Sequence, residues 1–246
     1  MDNNEFYNSA SAIYDEMISF EISLERKRKL FKNIFSPEMK EAADCGCGTG
    51  VDSVALSKTG LNVTAFDPSS EMITKAKTNA NLYKVNVDFN TFPIHNIPGK
   101  FNNNFDLVLS LGNTFANIRK ENFKESIKRC YEILRKGGTI LIHILNYYRI
   151  IKEQNRIVNI KQGKDYSFVR FYDFENQTIK FNILTYKQSN PADHQLITTE
   201  IFPHSKKDFK ENMRNAGFKK LEFYSSLAYA PFDKEASKDL FILAKS

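Results

Sequence analysis

Cysteine is scarce in this 246-residue sequence: there are three, an odd number, and two of them are separated by one glycine in a Gly-rich turn. That excludes a disulfide framework and makes a reducing cytoplasm the expected compartment. Long apolar runs are missing too. The longest, residues 139–145, is far short of the ~20 residues a membrane helix needs. The opening MDNNEFYNSA has neither the basic start nor the apolar stretch of a secretory leader, so no leader and no membrane partner are expected. Cys45 and Cys47 have no further thiol partners at zinc spacing, so no metal is expected. Charge of one sign is barely in excess: 35 Lys+Arg against 29 Asp+Glu gives +6, and the basic residues are dispersed along the chain. The densest cluster, Glu25-Arg26-Lys27-Arg28-Lys29, reads as a solvated helix face. Without an aromatic nucleic-acid signature, a nucleic-acid partner is not expected. What is present, 41% hydrophobic and 26% charged residues, is the composition of an ordinary globular chain. The length suits one large domain, or one domain with an insertion.

Apolar spacing through Ile13, Met17, Phe20, Leu24, Phe31 and Phe35 predicts a helix over 9–35. An alternation of strands and helices follows. Strands are expected at 42–45, 61–66, 84–89, 105–111 and 139–145. Helices are expected after Gly50, after Ser69, and over 120–135, the last stopped by Gly137-Gly138. This rhythm points to an α/β fold with a mostly parallel sheet and crossover helices. Residues 155–203 break it with strand-like runs at 157–160, 168–174, 178–186 and 195–202. Turn chemistry at Glu175-Asn176-Gln177 and at 189–193 joins them into an inserted antiparallel meander. A capped helix from Ser205, stopped by Gly217, and strands at 219–225 and 240–244 complete the chain.

The strongest local signal is Asp44-Cys45-Gly46-Cys47-Gly48-Thr49-Gly50, lying between a strand and a helix. Glycines there let a ligand approach the backbone closely, and the helix beyond offers unpaired N–H groups. Asp67 ends the next strand, 21 residues past Gly46. An acid about 20 residues beyond a Gly-rich turn is placed to accept both hydroxyls of a ribose diol. The pattern is DxGxGxG, and no phosphate-loop Lys follows, which favours a nucleoside without a phosphate chain.

This stretch resembles motif I of the class I, Rossmann-like S-adenosylmethionine (SAM)-dependent methyltransferases. Residues 63–72, 104–109 and 134–142 resemble the segments around the second, fourth and fifth strands of that family. The resemblance covers residues 40–145 and implies a seven-stranded sheet, mostly parallel with an antiparallel last strand. It implies one methyltransferase domain over 1–246: a helical cap (1–38), a SAM-binding core (39–150), an inserted β lid (155–203) and a closing helix and hairpin (204–246). A narrower resemblance, carried by Ser110-Leu111-Gly112-Asn113-Thr114-Phe115, by Asn146-Tyr147-Tyr148 and by Thr91-Phe92, is to the glycine/sarcosine N-methyltransferases. The arginine that holds the substrate carboxylate in those enzymes is Leu145 here, which turns the expectation away from glycine and toward another small-molecule amine.

The resemblance assigns SAM to Tyr14, Asp44, Gly46, Cys47, Gly48, Asp67, Pro68, Met72, Thr91, Phe92, Leu111, Gly112 and Asn113. Tyr7, Tyr14, Tyr147 and Tyr148 are expected to roof the cofactor, because aromatic faces stabilise positive charge near a sulfonium. His143, near the ligand-binding edge of a strand, and His204 are the candidate bases. Arg170, inside the meander, is the candidate anchor for an anionic substrate group. Tyr14, His143, Tyr147 and Arg170 thus form the candidate catalytic set. Oxygen methylation, another SAM-using reaction, an RNA- or protein-directed enzyme and a non-catalytic SAM-binding protein stay open as alternatives, as does assembly into a homo-oligomer.

Overall fold

Helix α1 (Asn3–Ile18) and helix α2 (Phe20–Ile34) precede the first strand in the computed structural model, which describes residues 3–175 and 178–246. The single helix expected over 9–35 is broken at Ser19, which sits in the left-handed region with φ 51°. Next come β1 (Glu41–Cys45), α3 (Val51–Ser57), β2 (Asn62–Phe66), α4 (Ser70–Leu82), β3 (Val87–Asn90), β4 (Phe105–Ser110), α5 (Lys120–Ile133), β5 (Leu134–Leu145) and α6 (Tyr147–Glu153). The insertion holds β6 (Ile157–Gln162), β7 (Tyr166–Phe174), β8 (Ile179–Lys187) and β9 (Asn190–Ile201). Helix α7 (Lys206–Ala216), β10 (Lys219–Tyr224) and β11 (Asp239–Lys245) close the fold.

The main sheet has seven strands in the order β10-β11-β5-β4-β1-β2-β3. β11 runs antiparallel to both neighbours, and the remaining pairs are parallel. Side-chain alternation splits the core into two layers. Val108, Ile140, Ile142 and Ile144 pack toward α5 and α7 with Phe123, Ile127, Phe209 and Met213. Leu107, Leu109 and Leu141 pack toward α2 and α3 with Leu24, Phe31, Val54 and Leu56. Helix α7 carries the anticipated cap: Ser205 and Asp208 bond reciprocally, and Gly217 ends the helix at φ 110°.

Two local expectations change. Helix α5 stops at Ile133 and strand β5 begins at once, so Gly137 and Gly138 lie within the strand. A Cβ on Gly138 would come 2.9 Å from Arg135 O and 3.1 Å from Phe105 O, so glycine is needed at the register shift where β5 pairs with β4. The turn expected over 189–193 is shorter: Lys187 pairs with Asn190, and Pro191 lies in β9. Proline is tolerated there because β9 is an edge strand. Helix α6 was not anticipated. The turn expected at Glu175-Asn176-Gln177 includes residues 176–177, outside the described residues.

The insertion forms a separate four-stranded antiparallel sheet, β6-β7-β8-β9. Helix α1 lies between this sheet and α4. Phe6, Ala10 and Met17 are buried against Met72, Phe168, Ile183 and Ile197. Burying a side chain such as Phe6, with no exposed surface, stabilises the docking by roughly 1.5–3 kcal/mol. Lys161 on β6 caps the end of α1, its ammonium donating to Glu16 O (2.6 Å), Met17 O (2.9 Å) and Ser19 Oγ (2.6 Å). A cation at a helix C-terminus meets otherwise unpaired carbonyls.

Candidate active site

Strands β1 and β2 end side by side, with Cys45 opposite Phe66. Phe66 O accepts the N–H of Gly46 (2.7 Å) and of Cys47 (3.0 Å), which pins the turn to β2. Gly46 has φ +83°, and a Cβ there would lie 2.2 Å from Thr114 Cγ2. The N–H of Gly48 donates to Asp67 Oδ2 (2.9 Å), and the N–H of Ser69 donates to Asp67 Oδ1 (2.9 Å). Each carboxylate oxygen therefore holds one backbone bond and keeps further acceptor capacity. Behind the turn, Asp44 Oδ2 accepts the Ser53 hydroxyl at 2.6 Å.

A cavity of about 540 Å³ opens at the carboxyl ends of β1, β2 and β4, where open α/β sheets bind their ligands. Gly46, Cys47, Gly48, Asp67 and Pro68 line its base. Pro93, Ile94 and His95 line one wall together with Leu111, Gly112 and Thr114. Tyr7, Tyr14 and Lys27 reach it from α1 and α2, and Thr199, Glu200 and Phe202 from the end of the insertion. Asn3 ties these parts together, donating to Asn117 O at 2.6 Å and accepting the Thr199 hydroxyl.

Several anticipated residues stand off this cavity. Pro93-Ile94-His95 line it where Thr91-Phe92 were expected, and Phe92 packs against the core instead. Met72 is fully buried under α1. Asn113 bonds away from the cavity, donating to Tyr147 Oη (2.7 Å) and accepting the Leu145 N–H (3.0 Å). Tyr147 is buried beside it, whereas Tyr148 is on the surface and donates to Glu235. His143 is turned toward β11: its Nε2 lies 2.9 Å from Asp239 Oδ1 and its ring stacks on Phe241. Strand alternation is the cause, because Ile142 and Ile144 take the opposite face. His204 stacks on Phe123 and donates from Nε2 to Ile118 O at 2.8 Å. Arg170 does not line the cavity. It donates from Nε to Asn159 (2.7 Å), and its charge is felt by Tyr14 and Tyr172.

Residues 42–138 match a family model described as a methyltransferase domain. The chain is 26% identical over 195 residues to a glycine/sarcosine N-methyltransferase of Aphanothece halophytica, covering 72% of each. It is 28% identical over 126 residues to the glycine N-methyltransferase of Oryctolagus cuniculus, a match that spans 46% of this chain and 43% of that enzyme. In fold it is similar to a SAM-dependent methyltransferase from Clostridium acetobutylicum, with TM-score 0.78 and 17% identity over 97% of this chain and 98% of that one. Residues 42–138 are thus a methyltransferase domain, and the chain as a whole shares the fold of a SAM-dependent methyltransferase. SAM is its cofactor.

Burial governs the electrostatics of this methyltransferase. It pushes the Asp67 carboxyl up to about 6, with the Gly48 and Ser69 N–H groups pulling the other way. Burial, then the neighbouring Asp52, raises Asp44. Asp52 faces the cavity and pairs with Lys27, whose Nζ lies 2.6 and 2.5 Å from its two oxygens. Burial lifts the Tyr14 and Tyr172 phenols to about 12 each and drives Tyr7 and Tyr147 well above their ordinary value. All four phenols therefore stay protonated at neutral pH. Sequence reading missed Lys27, Asp52, Thr49 and the Thr199–Phe202 segment as cavity residues. Thr49, inside the Gly-rich turn, and Asp52, just inside the helix that this turn opens, had a local signal.

Proposed function

We propose that this methyltransferase transfers the methyl group of SAM to the nitrogen of a small amine held between α1 and the inserted sheet. The observation that carries this reading is the pair of phenols, Tyr7 and Tyr14, that line the cavity from α1, with Tyr147 and Tyr172 buried outside its lining. Each phenol lies close enough to the next to perturb it: Tyr7 with Tyr14, Tyr147 with Tyr172 and Tyr7. The similarity to enzymes named as glycine and sarcosine N-methyltransferases supports an amine nitrogen.

The chain's own groups fit SAM. Asp67 keeps acceptor capacity for a ribose diol. Gly48 and Gly112 leave open backbone, with only Tyr14 Cε1, at 3.9 Å, near a Cβ on Gly48 and nothing within 4 Å of one on Gly112. Among the described residues the Thr49 hydroxyl is buried without a partner and belongs to a cavity residue, so it offers a bond to the cofactor. Pro93, Ile94 and Leu111 supply an apolar wall for adenine. When bound, SAM supplies a methyl group already activated on its sulfonium. The protein then has to exclude water and align the acceptor.

The protonated phenols of Tyr7 and Tyr14 are not bases; their oxygens accept N–H bonds from the amine and their rings stabilise positive charge. The amine therefore enters with its lone pair exposed, and the rate rises with pH toward the acceptor's own pKa. Arg170 stands off the cavity and contributes only a positive field on the insertion side, felt by Tyr14. This reading makes 155–203 the acceptor-side lid and 1–38 the cap over a core at 39–150. Glycine is then a poor acceptor: its carboxylate would lie beside Leu145, and an unpaired buried carboxylate is costly. The test is a comparison of initial rates with glycine, sarcosine, and larger aliphatic and aromatic amines, reading methylated product by mass. Faster turnover of a larger amine is expected. Glycine as the best acceptor at sub-millimolar concentration would refute the substrate reading, and products methylated at oxygen alone would refute nitrogen as the acceptor atom.

A further inference from the structure

Away from the cavity, at the edge of the main sheet formed by β10, a groove of about 530 Å³ runs between α7 and β10. It shares no lining residue with the active-site cavity. Lys206, Lys210 and Arg214 border it from one face of α7, at successive four-residue steps. Lys219 and Lys220 border it from β10. Among the described residues none of these five cations forms an ion pair, whereas the neighbouring Lys207 does, with Glu211. Phe218, Leu221 and Phe223 make an apolar floor. Lys206 is held over the rings of Phe223 (4.6 Å) and Phe232 (5.3 Å).

The backbone contributes to this gathering of charge. In a regular strand Lys219 and Lys220 would point to opposite faces. Here the register slips between Lys219 and Glu222, and Lys220 takes φ 49°. The bulge lets both lysines and Leu221 border one groove. Lysines on an edge strand also deter edge-to-edge pairing, which accounts for Lys219 and Lys220 but not for the three aligned cations of α7.

We propose that this groove is a second binding site, for a small ligand bearing several phosphate groups. A concentrated set of unpaired lysines suits a multiply charged phosphate, to which lysine binds as a point charge. The volume falls within the range of small-molecule sites, and the apolar floor accommodates a ring or short chain attached to the phosphates.

The test uses the full chain, with tripolyphosphate and ATP as probes in calorimetric titrations at constant ionic strength. One probe molecule should bind per chain, and the double variant Lys210→Glu/Arg214→Glu should weaken it at least tenfold while leaving SAM affinity unchanged. Lys220→Gly, which relieves the left-handed backbone and removes one charge, should weaken the probe without loss of folding and covers the case in which the double variant is unstable. No saturable binding of either probe, or equal affinity in parent and variants, overturns the proposal. So does a single-stranded RNA oligonucleotide that binds far more tightly than ATP with a steep salt dependence, because the groove is then a nucleic-acid surface.

Discussion

Replacing Asp67 by asparagine should separate cofactor affinity from stability. The parent carboxyl is raised from 3.8 to about 6 by burial, and at ~1.4 kcal/mol per pKa unit its charged form costs the folded protein about 3 kcal/mol at neutral pH. The sign follows from the direction of the shift. A carboxyl raised on folding contributes stability that is present below the unfolded value and is lost as pH rises through about 6. Asparagine removes that cost. It also loses a bond, because its amide oxygen can accept from Gly48 or from Ser69 but its Nδ2 faces the other N–H, leaving a donor unsatisfied at about 1–3 kcal/mol. The two effects nearly cancel. The variant should unfold in urea within about 2 kcal/mol of the parent and should lack the parent's gain in stability on acidification toward pH 4. SAM binding should respond in the opposite sense. Two bonds from a ribose diol to a charged acceptor, at ~1.5–3 kcal/mol each, predict a loss of at least about a hundredfold in affinity. In the parent, affinity should fall about fivefold between pH 6 and pH 5 and about tenfold over the next unit, because Asp67 must give up a proton to bind. Calorimetric titration across this range, paired with urea unfolding of the cofactor-free protein, reads both. A folded Asp67→Asn variant with SAM affinity within threefold of the parent, or a parent affinity flat down to about pH 5, would refute the reasoning.

Gly46→Ala should abolish measurable SAM binding in a folded chain. Pairing it with Thr114→Gly should not restore binding, because removing the 2.2 Å contact leaves the alanine at φ +83°; full recovery in the double variant would show that the contact alone matters. Lys161→Met should cost about 1–3 kcal/mol through the carbonyls left uncapped at the end of α1. Its signature should be faster amide exchange in α1 and weaker SAM binding through Tyr14, and unchanged exchange there would contradict the role of Lys161 in docking the helix.

The corner where the Gly-rich turn meets Asp67 was legible in the chain because it depends on neighbouring backbone. A Gly-rich turn after β1 and an acid after β2 meet wherever the two strands lie side by side and parallel, so Gly46, Gly48 and Asp67 could be placed together from spacing alone. The strand and helix alternation, the inserted meander and the Ser205 cap were legible for the same reason: each is set by local periodicity or turn chemistry. His143 shows where that reasoning stops. Its place near the end of β5 could be read from the chain, but the face it occupies, against Phe241, follows from which neighbour each side of the strand packs on. The Lys27–Asp52 pair exists only because α2 lies against α3. Tyr172 comes within electrostatic reach of Tyr147 only because the inserted sheet packs beside α6. Basic residues that look dispersed along the chain become a groove once α7 packs beside a bulged β10. Periodicity determines which residues share one face of an element, and only tertiary packing decides what stands opposite that face.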